Sequence, residues 1–133
     1  AVALATVEVA GKKSAAAKLV VNAPGDVTAD GVATQIELEN AKAEQESTLR
    51  FQLRTEAGKP IGNIQPYLGA RGHLVVISAD GTKYVHAHPT DVKTAANEVV
   101  FLSHFPVAGV YKGWAQFRIA GKVRTVPFVV RIP

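Results

Sequence analysis

All four histidines of the chain, His73, His86, His88 and His104, lie between residues 73 and 104, and two of them form the triplet His86-Ala87-His88. On a β-strand, side chains at i and i+2 project from one face about 6.6 Å apart, so two such imidazoles can lean towards one metal ion. The sequence has no Cys and no Met. Imidazole and carboxylate are therefore the donors on offer, and they suit Cu(II) or Zn(II) better than Cu(I).

The elements around the triplet decide whether the histidines can meet. Asp80-Gly81 is a two-residue hairpin signal, and a turn centred on it sets His73 opposite His88 and Val75 opposite His86. Alternation then gathers His73, Val75, Ile77, Tyr84, His86 and His88 on one side of the hairpin, with Leu74, Val76, Ser78, Val85 and Ala87 on the other. The expected metal ligands are thus His73, His86 and His88. His104, at the end of the following strand, joins them if that end returns to the same region, and Asp91 is a further candidate, as a ligand or as an orienting group for an imidazole. The competing reading is structural, because a histidine in a sheet often serves as a half-buried ring bonded to a carbonyl or hydroxyl. Tyr67, Tyr111, Trp114, Phe101, Phe105, Phe117 and Phe128 read as packing residues.

Strands must carry these groups. Leu49, Phe51 and Leu53 alternate with Arg50, Gln52 and Arg54, the pattern of a strand with one buried face. Further strands are expected over 7–9, 18–21, 35–39, 73–78, 84–88, 99–104, 110–119 and 123–132. Turn residues separate them at Pro24-Gly25-Asp26, Ala29-Asp30-Gly31, Gly58-Lys59-Pro60, Asp80-Gly81 and Ala120-Gly121. The polar stretch 39–46 is too short for an isolated helix and reads as loop, and 66–72 reads as a loop crossing between sheets. About seven to nine short strands at this spacing predict an all-β, immunoglobulin-like antiparallel sandwich, and 133 residues suit a single domain over 1–133.

Composition narrows the function. The net charge of +4 is spread over the polar halves of strands rather than massed in a basic stripe, which argues against nucleic acid as partner. No apolar run reaches the length of a helical membrane span. The N-terminus lacks a basic segment followed by an apolar one, so a signal peptide is expected to be absent or removed. His-Glu-x-x-His, Gly-x-Ser-x-Gly, a phosphate loop and Gly-x-Gly-x-x-Gly are all missing, and the chain is read as non-catalytic.

The ordered set Gly72-His73-Leu74-Val75, His86-Ala87-His88-Pro89, Phe105-Pro106 and Tyr111-Lys112-Gly113-Trp114-Ala115-Gln116-Phe117 resembles the YtkA-like and FixH-like β-sandwich domains of exported bacterial proteins, over about residues 48–133. The resemblance implies an immunoglobulin-like fold, a periplasmic or secreted location and a setting concerned with copper or other heavy metals, and it places the family's histidine positions at His73, His86 and His88. Related domains often carry Met where this chain has Arg71, which counts against Cu(I). The expected function is an exported, non-catalytic module that binds Cu(II) or Zn(II) for delivery, buffering or sensing. The alternative is a metal-free structural or interaction domain whose partner is another exported protein.

Overall fold

The computed structural model describes residues 19–90 and 94–133. Its strands are β1 (Gly25–Ala29), β2 (Val32–Glu39), β3 (Glu46–Thr55), β4 (Ile64–Gln65), β5 (His73–Ser78), β6 (His86–Pro89), β7 (Glu98–His104), β8 (Gly109–Ile119) and β9 (Lys122–Ile132). One sheet has the order β1-β2-β3-β7-β6. In the other, β9 pairs with β8 along its whole length, so β4 and β5 share the opposite edge of β8, at 118–119 and 111–116 respectively. All named pairings are antiparallel. The orders β2-β3-β7-β6 and β5-β8-β9 reproduce the two sheets of an immunoglobulin-like sandwich, with β1 as an added edge strand.

Alternation drives the two sheets together. Leu49, Phe51 and Leu53 are fully buried, while Arg50, Gln52 and Arg54 lie on the outer face. Phe51 contacts Phe101 of its own sheet edge-on at 5.5 Å between ring centres, and Phe117 and Phe128 of the other sheet at 5.8 and 5.6 Å. The outer face near Arg50 is tied by charge: its guanidinium reaches Glu98 at 3.1 Å and Glu39 at 3.3 Å, and Gln52 donates to the second Glu98 oxygen at 3.1 Å. At the β7–β8 corner the Tyr111 hydroxyl donates to Val107 O at 2.5 Å, the tyrosine corner of this fold class.

Pro127 and the segment before β1 follow the same logic. The amides of Asn22 and Ala23 both donate to Val129 O at 3.0 Å, and the amide of Val129 donates to the Asn22 side chain at 2.8 Å. Val129 thus turns its backbone away from β8. Pro127, two residues earlier, has the same phase, and its missing N–H removes no bond from the β8–β9 ladder. Residues 19–21, the described part of the strand expected over 18–21, take no strand conformation. The strand expected over 7–9 lies outside the described residues, and β1 and β4 were not expected at all. The loop 66–72 does not cross between sheets, since β4 and β5 both pair with β8.

The hairpin expected around Asp80-Gly81 forms only at its tip. Ile77 bridges Tyr84, as that turn requires, the amide of Ser78 donates to Lys83 O at 2.8 Å and that of Val85 to Val76 O at 3.0 Å. The chain then leaves for the other sheet, where β6 adds to β7. The Asp80 carboxylate organises the corner, accepting from the Ser78 hydroxyl at 2.6 Å and from the Thr82 hydroxyl and amide at 2.7 and 3.0 Å. The Ser78 hydroxyl first, then the Thr82 groups, lower its pKa to about 2.

Three expectations follow. Phe51→Ala should cost about 3–5 kcal/mol in chemical denaturation, because it opens a cavity in contact with both sheets. Tyr111→Phe should cost about 1 kcal/mol by leaving Val107 O without its donor. Because the folded-state pKa of Asp80 is depressed, its contribution is present above the ordinary carboxylate range and lost as pH falls through about 2. A carboxyl-carbon NMR titration should therefore place Asp80 near that value, and a midpoint close to 4 would show that the corner network is not formed.

Candidate histidine site on the outer sheet face

The sheet switch redistributes the histidines. His73 pairs with Gln116 in the β5-β8-β9 sheet, whereas His88 pairs with Leu102 and His86 with His104 in the other. His73 and His88 are therefore not cross-strand neighbours, and the expected hairpin face carrying His73, His86 and His88 does not exist as one surface. The division into two sides is nevertheless kept within each segment: Val76 and Val85 are buried, while Val75, Tyr84, His86 and His88 are exposed. The three residues of the expected triad point outward from two different sheets.

His73 serves the fold. Its Nε2 lies 2.6 Å from Tyr67 O, and its ring meets the Tyr67 ring edge-on at 5.3 Å. A carbonyl only accepts, so Nε2 carries the proton in this bond and cannot ligate a metal while the bond persists. Arg71 is likewise committed to the backbone, donating to Glu98 O at 2.8 Å and Ala96 O at 2.6 Å. It lines a pocket with Pro89 and Thr90, separate from the one lined by the other histidines. Asp91 lies outside the described residues.

His86, His88 and His104 come together instead. The Thr90 amide donates to Val100 O at 3.0 Å, so by alternation His88–Leu102 and His86–His104 are also hydrogen-bonded pairs, with Cα atoms about 5.5 Å apart. In this phase Pro89 turns its nitrogen to the open edge of β6 and costs the ladder nothing. Across the adjoining strand, Glu46 pairs with His104. Glu46, His104 and His86 thus form one row over β3, β7 and β6, and His88 sits beside His86 in the next row. All four side chains are exposed. With Leu102 and Ser103 they line a shallow cleft of about 150 Å³.

The rings of His86 and His88 stand 5.5 Å apart at 47°. Two imidazoles bound to one tetrahedral ion through bonds of about 2.0–2.1 Å hold their ring centres roughly 5 Å apart, so this pair needs little adjustment to share one. Among the described residues, no group of three or more His, Cys, Asp or Glu side chains is already converged on a metal position. A third donor requires rotation of the exposed His104 or Glu46 side chain. Glu46 escaped the sequence reading, although extending the Leu49-Phe51-Leu53 alternation back along β3 places Glu46 outward with Thr48 and Arg50.

No curated protein matches the chain. Among solved structures, the filamin domain of Lin-41 is similar at 18% sequence identity, with 82% of this chain and 98% of that chain covered and a TM-score of 0.48. The family described as Domain of unknown function (DUF8832) matches residues 27–133, a span that takes in every strand from β2 to β9. The chain belongs to that family.

Proposed function

We propose that this domain is a non-catalytic metal-binding module of an exported protein, holding one Cu(II) or Zn(II) through His86 and His88 with His104 as third ligand and Glu46 as a nearby carboxylate. The observation that carries this reading is the 5.5 Å separation of the His86 and His88 rings, beside a third histidine in register with His86. Rigid strands supply the spacing and exposed side chains supply the freedom to close on the ion. An open sheet face also leaves coordination positions within reach of a partner, which suits delivery or buffering better than permanent storage. The exported setting rests on the resemblance to YtkA-like and FixH-like domains.

Calorimetric titration of the purified protein with Cu(II) and with Zn(II), at about pH 7.5 and about pH 5.5, tests the proposal. His86→Ala and His88→Ala should each weaken binding by at least about tenfold, and His104→Ala by a comparable factor. His73→Ala should leave affinity unchanged while lowering stability, since it removes a bond to Tyr67. Binding should weaken at the lower pH, because protons compete for neutral imidazole. Metal at a hundredfold excess over its Kd should stabilise the parent protein by about 2.7 kcal/mol. Loss of binding in His73→Ala with retention in His86→Ala would refute this ligand set. Absence of binding altogether favours the metal-free interaction domain, for which Val75 and Tyr84, 49% and 72% exposed, are apolar contact points.

A further inference from the structure

A second recess lies at the other end of β3. It has a volume of about 250 Å³ and is walled by Val32, Pro60, Ile61 and Ile119, with Asn63 and Arg124 among its polar lining. β3 runs from Glu46 beside His104 to Thr55 at this recess, so the two places are separated by nearly the full strand length, roughly 30 Å. The walls are pinned in place: Ile61 N donates to Leu53 O at 3.0 Å and Thr55 N to Lys59 O at 2.7 Å.

Arg124 is the unexplained group. Its Nη1 donates to Asp30 O at 3.0 Å, but its Nε is buried with no hydrogen-bond partner. The Asp30 side chain on the adjoining turn is already engaged, since it accepts from Thr125 N at 3.0 Å and faces Lys122 at 3.7 Å. A buried donor left unmade carries a desolvation cost that native proteins normally avoid. The guanidinium lies over Gly31, whose φ of +77° favours glycine and where a Cβ would stand 2.9 Å from Nη1. A positively charged fork thus borders a small apolar recess, an arrangement that selects an anionic head on an apolar body.

We propose that this recess binds a small organic carboxylate, its carboxylate paired with the Arg124 guanidinium and its hydrocarbon part lying against Val32, Pro60, Ile61 and Ile119. The volume is below the usual range of about 300–1,000 Å³ for drug-sized ligands, so the occupant is a short-chain acid. The site is independent of the histidines and holds whether or not they bind metal.

Hexanoate, its neutral isostere hexanamide and inorganic sulfate serve as probes, followed by amide chemical shifts in two-dimensional NMR. Hexanoate should shift residues of the recess and bind about tenfold more tightly than hexanamide. Arg124→Gln should abolish that preference. Gly62→Leu, which adds bulk at a lining residue other than Arg124, should block hexanoate while the remaining spectrum stays folded. If Arg124→Gln fails to fold, the hexanoate–hexanamide comparison in the parent protein and the Gly62→Leu variant decide. Equal binding of hexanoate and hexanamide overturns the proposal, as does sulfate binding as tightly as hexanoate with no effect of Gly62→Leu.

Discussion

The contact of Phe51 with Phe101, Phe117 and Phe128 is the constraint on which the sandwich depends, because it is made by both sheets and fixes their separation and rotation together. Two glycines make room for it. A Cβ at Gly72 would lie 2.9 Å from Phe117 and 3.1 Å from Phe101, and one at Gly113 would overlap the Phe128 ring. Small residues at these two points let large rings interdigitate at the density that interiors require. Since the inward positions are filled by the ring cluster, its aliphatic neighbours and the small polar side chains of Thr34, Ser47 and Ser103, the charged and metal-ligating side chains of these strands lie on the two outer faces.

That exclusion gives the outer face of the five-stranded sheet its order. Along β3 and β7 the Arg50–Glu98–Gln52 network takes up the carboxylate of Glu98, while Arg50 also engages Glu39. The end of the sheet that carries Glu46 and the three histidines lies beyond this network, on the same outer face. A ligand set built on hydrogen-bonded strand pairs has its backbone spacing fixed in advance, so binding would require ordering only of exposed side chains. The weakest member is β6, four residues long and at an edge. Ligation spanning His86 on β6 and His104 on β7 would staple that strand to its neighbour.

Period-two alternation carries most of what was legible in the sequence. It assigned Leu49, Phe51 and Leu53 to the core, found the long β8–β9 pair around Ala120-Gly121 and separated Val76 and Val85 from the side carrying the histidines. Alternation says which side chains point in, yet it is silent about which sheet a strand joins. For residues 84–88 both choices bury Val85 and expose His86 and His88, so the short-range turn rule favoured a hairpin with β5 while the open edge of β7 captured the strand. The same blindness hid the His86–His104 neighbourhood, which exists only through that capture, and the row that adds Glu46. β1 was missed for a local reason: Gly25 and Asp26 at its start read as turn, and its pairing with β2 outweighs their weak strand preference.

The positions of the two proposed sites also determine how they can communicate. Both are anchored on β3, one at each end, and both would bind the folded chain in preference to the unfolded one, so each ligand adds to global stability by mass action. Coupling of their affinities would need an element with two arrangements that both ligands bias. β3 offers none. Its residues pair on one side with β2 from Thr48 to Thr55 and on the other with β7 from Glu46 to Gln52, and its centre is locked by Phe51. A one-residue slip would expose Leu49, Phe51 and Leu53 and bury Arg50. The physical expectation for such a strand is two ligands that raise the same unfolding free energy additively while leaving each other's dissociation constants unchanged.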